Sequence, residues 1–354
     1  MTGALFFNSM RTNDFYFDLP DSLIAQYPPA ERGLSRLMVM DRKKSSLDHR
    51  MVRDLPALLE KGTVAVFNNS RVRKARLLGV SEASGAMAEF LLLKKLDELS
   101  WQVLAKRSRR RKPGDRYVFN GTVAEVLPPL NTAEGEGTLI IRFDQPIDDL
   151  WLDIHGHVPL PPYIKRKDTE DDSERYQTVY AREHGSAASP TAGLHFTEGL
   201  LGDLQNAGIE IIFVTLHVGL GTFLPVRTEN IEDHRMHEEN YKIDEKSALS
   251  IERAKAEGRK ILAVGTTCCR VLESAWLDGG GRFKRGEGST SIFIYPGFDF
   301  KVVNQLFTNF HTPLSTLLML VSAFAGKDFI LDSYREAIKE GYRFFSYGDA
   351  CLIL

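Results

Sequence analysis

Cysteine is scarce in this chain: three in 354 residues, with Cys268 and Cys269 adjacent and Cys351 far downstream. No CxxC pair and no even disulfide framework can be drawn from them. That excludes a small disulfide-stapled scaffold and points to a reducing compartment. Long apolar runs are missing too. The longest, around 317–325, falls far short of the roughly 20 residues that span a bilayer. The apolar patch ALFF near the N-terminus is too short for the core of a signal peptide. Met10 offers a second start, which would make residues 1–9 an upstream extension. Charge of one sign is also lacking. Lys and Arg number 45 against 47 Asp and Glu, a formal net charge of −2, so no global field advertises a polyanionic partner. A cytoplasmic, membrane-free monomer is the expectation.

What is present reads as two patterns. The segment GTVAVFN (62–68) is a buried strand. From about Arg76 to Phe143, short β-like runs follow one another: ARLLGV, EFLLLK, WQVLAK, DRYVFN, TVAEVL and TLIIRF. Turn residues such as Pro113-Gly114-Asp115 and Asn120-Gly121 separate them, the signature of a small barrel or sandwich. Beyond residue 150 strands and helices alternate. Helices are expected at 198–208, 245–258, from Thr266 onward, and over two segments near the end, with strands at 209–218 and 260–265. The fold class is therefore an α/β main domain with an inserted all-β barrel. The α/β domain is discontinuous, residues 1–72 and 152–354, and the barrel takes 73–151.

Several bends carry chemistry-bearing residues. In SPTAGLHFT (189–197), Gly193 precedes His195; in TLHVGLGTF (215–223), His217 is followed by Gly219 and Gly221. Histidine is the side chain that titrates near neutral pH, so these are candidates for proton traffic. The alternative at each is a core histidine satisfied by the backbone. AVGTTCCR (263–270) ends a strand at Gly265 and opens a helix with Thr266 and Thr267. Free N–H groups and the positive dipole end there suit a carboxylate or phosphate, although the stretch matches neither a P-loop nor a GxGxxG fingerprint. EDHRMHEEN (232–240) sets His234 and His237 three apart, on one face if the segment is helical, beside Glu238 and Glu239. The HExxH spacing is absent and no cysteine is near, so a His–carboxylate pair for proton transfer is preferred to a metal, and the stretch taken alone reads as a solvated charged turn. AKRSRRRKPGD (105–115) packs six basic residues into seven, among them Arg109, Arg110 and Arg111, a candidate contact for a nucleic-acid backbone. YIKRK (163–167) is a weaker second patch. Asn309 and His311 in TNFHTP, and Tyr347 and Asp349 in YGDA, add polar groups at element ends.

Taken together these stretches resemble one family. SPTAGLHFT, TLHVGLGTF, MHEENY, AVGTTCCR, TNFHTP and YGDA occur in this order in S-adenosylmethionine:tRNA ribosyltransferase-isomerases of the queuosine pathway. FDLPDSLIAQYP (17–28), FNNSRVRKARL (67–77), GHVPLPPYI (156–164) and ERYQTVYA (174–181) fit as well. The resemblance runs from about Asp14 to the end. It implies transfer of the ribosyl part of S-adenosylmethionine to 7-aminomethyl-7-deazaguanine at a tRNA wobble position. The ribose is rearranged to an epoxycyclopentane, giving epoxyqueuosine, and adenine and methionine leave. It implies an α/β domain with an inserted barrel, no metal, and no cofactor beyond the donor, which is a substrate. His195, His217, His237 and Glu239 are then the catalytic candidates. Gly193, Gly219, Gly221, Gly265, Thr266 and Thr267 are the donor-binding candidates. Arg109, Arg110, Arg111, Asn309, His311, Tyr347 and Asp349 are the candidates for tRNA or base.

Cys268, Asn304 and Ser189 depart from the residues usual in the family. A methyltransferase using the same donor is the first rival, but the expected Gly-rich loop with a downstream acid is not found. A non-catalytic RNA-binding module would explain the basic loop and leave the histidines unexplained.

Overall fold

The computed structural model describes residues 10–105, 108–128, 138–219 and 226–354. The chain opens with a hairpin, β1 (Arg36–Asp41) and β2 (Ser46–Met51), then a one-turn helix α1 (Leu55–Leu58), β3 (Val64–Asn68) and β4 (Ser70–Val72). Six strands follow: β5 (Arg76–Ser81), β6 (Met87–Lys95), β7 (Ser100–Ala105), β8 (Arg116–Phe119), β9 (Thr122–Leu127) and β10 (Thr138–Phe143). They close into a barrel in the order β10-β7-β6-β5-β8-β9. Every one of the six runs read from the sequence is a barrel strand.

Alternation fills this barrel. Leu77, Phe90, Trp101, Val103, Phe119, Val126 and Phe143 point inward and form one core. Phe119 fills the middle so closely that a Cβ on Gly79 would stand 2.6 Å from its ring. Asn120 and Gly121, with φ of 48° and 88°, make the tight β8–β9 turn, matching the preference of such hairpins for left-handed pairs.

After the barrel come α2 (Asp149–His155), α3 (Glu170–Arg175) and β11 (Glu183–Ser186), which pairs in parallel with β4. The alternating part then runs α4 (Glu198–Asn206), β12 (Glu210–Leu216), β13 (Glu239–Ile243), α5 (Glu245–Ala256), β14 (Ile261–Val264), α6 (Thr266–Asp278), β15 (Gly286–Thr290), β16 (Gln305–Asn309), α7 (Thr316–Ala325), α8 (Lys327–Lys339) and β17 (Ala350–Ile353). Caps explain where these helices begin. Thr197 Oγ1 accepts from Leu200 N, Asp244 Oδ1 from Ser247 N, and Ser315 Oγ from Leu318 N.

Nine strands form one mixed sheet, ordered β15-β13-β12-β3-β14-β16-β17-β1-β2. Its centre, β12-β3-β14-β16, is parallel. Residues of β3 alternate between the two faces. Val64 and Val66 join the core under α5–α8, while Ala65 and Phe67 join the core under α1 and α4. Burial on both faces is why these strands read as unbroken apolar runs.

The structure corrects one expectation. Residues 234–238 are not helical: a short 3-10 turn, Ile231–Asp233, gives way to extended chain, and β13 starts at Glu239. His234 and His237 therefore share no helix face. Pairing of 239–243 with both β12 and β15 decides the conformation there. No helix of the described residues is long and apolar enough to cross a membrane.

Candidate active site

The carboxyl ends of parallel strands are where ligands bind in open α/β sheets. Here those ends carry several of the motifs. β12 leads to His217 and Gly219, β14 to Gly265-Thr266-Thr267, and β16 ends at Asn309. The 3-10 turn Thr191–His195 packs beside two of these ends, Ala192 near Gly265 and His195 against Asn309. A Cβ on Gly265 would stand 3.5 Å from Ala192 Cβ, and one on Gly193 would stand 2.1 Å from Tyr180 Oη. Close approach thus requires glycine at 193, whereas at 265 a Cβ would make only ordinary contacts and the φ of 95° is what requires glycine.

His195 and Asn309, which the sequence assigned to different tasks, are in direct contact. Asn309 Nδ2 donates to His195 Nε2 at 2.9 Å and to the Phe345 carbonyl at 3.1 Å. The carbonyl can only accept, so it fixes which end of the amide faces the imidazole. His195 Nε2 is then an acceptor, and Nδ1–H donates to Ser35 Oγ at 2.9 Å. The ring is 4% exposed. Burial, aided by the positive charges of Arg343 and Arg32, pulls its pKa down to about 3. His195 is a neutral imidazole with both nitrogens engaged. It lines a small cleft with Ser35, Arg32, Arg175, Ser346 and Tyr347.

Other candidates are similarly committed. Asp349 Oδ1 accepts from Arg36 N and Oδ2 from Arg343 N, so this carboxylate ties β1 to the chain before β17. Tyr347 Oη donates to Asp172 Oδ1. Asp172 also holds Arg166 through both oxygens and accepts from Thr169, and its pKa is lowered to about 2 despite burial. His311 is buried against Thr308 Oγ1, with its pKa brought down to about 3 by burial.

His217 is different. It is half-buried against Gly185, where a Cβ would lie 3.1 Å from the ring. Its Nδ1 is buried and has no partner among the described residues. Burial first, then Arg73, lowers its pKa, so it too is neutral at pH 7, but with a nitrogen unused. His237 is exposed. Glu239 is held by an arginine and a backbone amide. It is 5% exposed, Oε2 accepts from Arg270 Nη1, and Oε1 accepts from Gly219 N at 2.9 Å. Arg270 was missed from the sequence. Its signal was its place one turn after the two threonines of GTTCCR.

The N-cap of α6 is Gly265, which has no side chain to cap the helix. Thr266 and Thr267 are buried, and Thr267 Oγ1 has no partner among the described residues. Cys268 is a buried thiol pushed up by desolvation, hence a packing residue and not a nucleophile. Asn304 takes both backbone groups of Ile261, accepting at Oδ1 and donating from its own N–H.

On the barrel, Arg111 lies over the rings of Phe90 and Tyr117 and donates to Tyr117 Oη, while Arg110 is exposed. The Arg109 side chain and Gly221 lie outside the described residues. The second basic patch is largely neutralised, Lys165 by Asp21 and Arg166 by Asp172. Among the described residues no cluster of three or more His, Cys, Asp or Glu could hold a metal ion.

Comparison with known proteins follows from this layout. The family model described as queuosine biosynthesis protein matches residues 12–353. An S-adenosylmethionine:tRNA ribosyltransferase-isomerase of Treponema denticola is 53% identical over 98% of this chain and 100% of its own length. One of Acetivibrio thermocellus is 51% identical over 97% of this chain and all of its own. The crystal structure of S-adenosylmethionine tRNA ribosyltransferase from Thermotoga maritima matches with a TM-score of 0.55 and 37% identity. It covers 96% of this chain and 100% of that one. The motif order, the barrel set within an α/β sheet, and matches over nearly the whole length agree: the chain belongs to the queuosine biosynthesis protein family.

Proposed function

We propose that the chain transfers and isomerises the ribosyl moiety of S-adenosylmethionine onto 7-aminomethyl-7-deazaguanine at the wobble position of tRNA. The products are epoxyqueuosine-tRNA, adenine and methionine. The observation that carries this reading is kinship over the full length: 53% identity across 98% of the chain with a relative named for that activity.

The chemistry asks for a base near the donor sulfonium, which acidifies the adjoining ribosyl carbon, and for an acid at the departing adenine. His217 suits the first task best, as a neutral imidazole beside Gly219 with a nitrogen that has no partner among the described residues. The uncapped start of α6 suits the donor's methionyl carboxylate, through the N–H groups of Thr266 and Thr267. We assign tRNA contact to the barrel loop with Arg110. The working form is a cytoplasmic monomer with the barrel at 73–151, needing no cofactor besides the donor.

The test is incubation of tRNA bearing the aminomethyl base with donor labelled on its methyl group. Nucleoside mass analysis should find the epoxycyclopentane product, and the label should leave with methionine. Label on the RNA would make the chain a methyltransferase and sink the reading.

A further inference from the structure

Arg270 lies one turn into α6, four residues after Thr266 and three after Thr267, so the three share a helix face. Its side chain is 3% exposed. Nη1 donates to Glu239, and Nε donates to the Ile292 carbonyl at 3.4 Å. Nη2 is buried with no partner among the described residues. Buried guanidinium nitrogens are ordinarily all bonded, because nothing else repays their lost hydration. Thr267 Oγ1, on the same face, is the second orphan. It and Thr267 N lie 3.4 and 4.0 Å from the point where a Cβ on Gly265 would stand. Unused side-chain groups at two positions and an uncapped helix start therefore line one side of α6.

We propose that Arg270 Nη2 binds the α-carboxylate of the donor, with Thr267 Oγ1 and the first N–H groups of α6 completing the anion site. The inference rests on the reading of the donor as S-adenosylmethionine. Burial selects the anion. A backbone phosphate of folded tRNA cannot reach a group this enclosed, whereas a carboxylate on a short aliphatic arm can. Arginine suits it, since one guanidinium edge can hold Glu239 while another N–H pair stays aimed at the ligand. Glu239 is then a positioning residue and not a proton carrier. It fixes Arg270 through Oε2, is itself fixed by Gly219 N at Oε1, and balances the buried charge when no donor is bound.

Affinity of the full chain for S-adenosylmethionine and for its decarboxylated analogue, measured by calorimetry, tests this. The unmodified protein should prefer the carboxylate-bearing donor about ten- to a hundredfold, the scale of a charge-assisted hydrogen bond. Arg270→Gln should bring the ratio near one by weakening S-adenosylmethionine alone, and should raise the donor KM while leaving kcat. Glu239→Gln should shrink the same ratio, which a merely structural role would not. Since Arg270→Gln leaves the buried Glu239 without its guanidinium, the double variant E239Q/R270Q, whose two amides can bond each other, replaces it if the single variant does not fold. A ratio retained in the folded variants overturns the proposal, as does a ratio near one in the unmodified protein. Failure of the unmodified protein to bind S-adenosylmethionine at all would instead overturn the donor reading on which it rests.

Discussion

Asn309 spends both hydrogens of its amide, one on His195 and one on Phe345. A consequence at the scale of single residues is pH dependence. His195 and His311 have folded pKa values of about 3 against the ordinary histidine value of 6.5. The unfolded chain therefore binds more protons than the folded one below about pH 6.5. Stability is complete above that pH and falls as pH drops toward 3. Each histidine contributes at most about 1.4 kcal/mol per pH unit in that window. Denaturant melts at pH 7 and pH 5 should show the loss, and His195→Gln should flatten it. Equal slopes in the two proteins would refute the assignment of His195 as a buried neutral group.

Asp349 supports a second prediction: Asp349→Ala strands two backbone N–H groups and should cost about 1–3 kcal/mol for each. The folded fraction should keep its donor and tRNA affinity. His217→Gln should do the reverse, leaving the melting temperature near normal while slowing single-turnover transfer about a hundred- to ten-thousandfold. Sequence reading found every one of these side chains but not their work. Whether a buried polar group is a clamp or a catalyst depends on partners distant in the chain, such as Ser35 for His195. Arg270 escaped because an arginine amid CCRVL looks like the polar stripe of an ordinary helix.

At the scale of elements, the barrel strands, β3, β12, β14 and the longer helices were legible because each carries its own apolar period or cap. The hairpin β1–β2, the antiparallel strands β13 and β15, and the last strand β17 were not. β2 is a polar edge and β15 reads GEGST, so neither shows apolar alternation; pairing with neighbours makes them strands. The strand-to-helix turn at Gly265 was read from the Gly-Thr-Thr signal, and its geometry makes a prediction. With φ of 95° and ψ of 151°, Gly265→Ala should cost about 1–3 kcal/mol in backbone strain and lower donor affinity as well. Gly193→Ala should destabilise through its clash with Tyr180 Oη, and Tyr180→Phe should recover part of that loss. Thermal melts of the two single variants and the pair check this; simple additivity would mean the contact does not decide the effect.

For the molecule as a whole, the question is how a chain with a net charge of −2 holds a polyanion. Arg111, folded onto Phe90 and Tyr117, serves the barrel, and its loss should lower stability more than tRNA affinity. Arg110 is exposed, and Arg110→Ala should weaken tRNA binding and reduce the salt slope by about one. Titrations across salt concentrations separate the two.

The position of β17 carries a consequence for how the protein is made. It pairs with β1 on one side and β16 on the other, so β1 and β2 join the rest of the sheet through the last strand. The barrel's strands are neighbours in sequence and can close as soon as residue 143 has left the ribosome. The first hairpin, though translated earliest, must wait for residues 350–353 before it has a place to dock. Until then Leu37, Val39 and the flank of β16 stay uncovered, which makes the nascent chain dependent on late, long-range pairing and exposes it to aggregation.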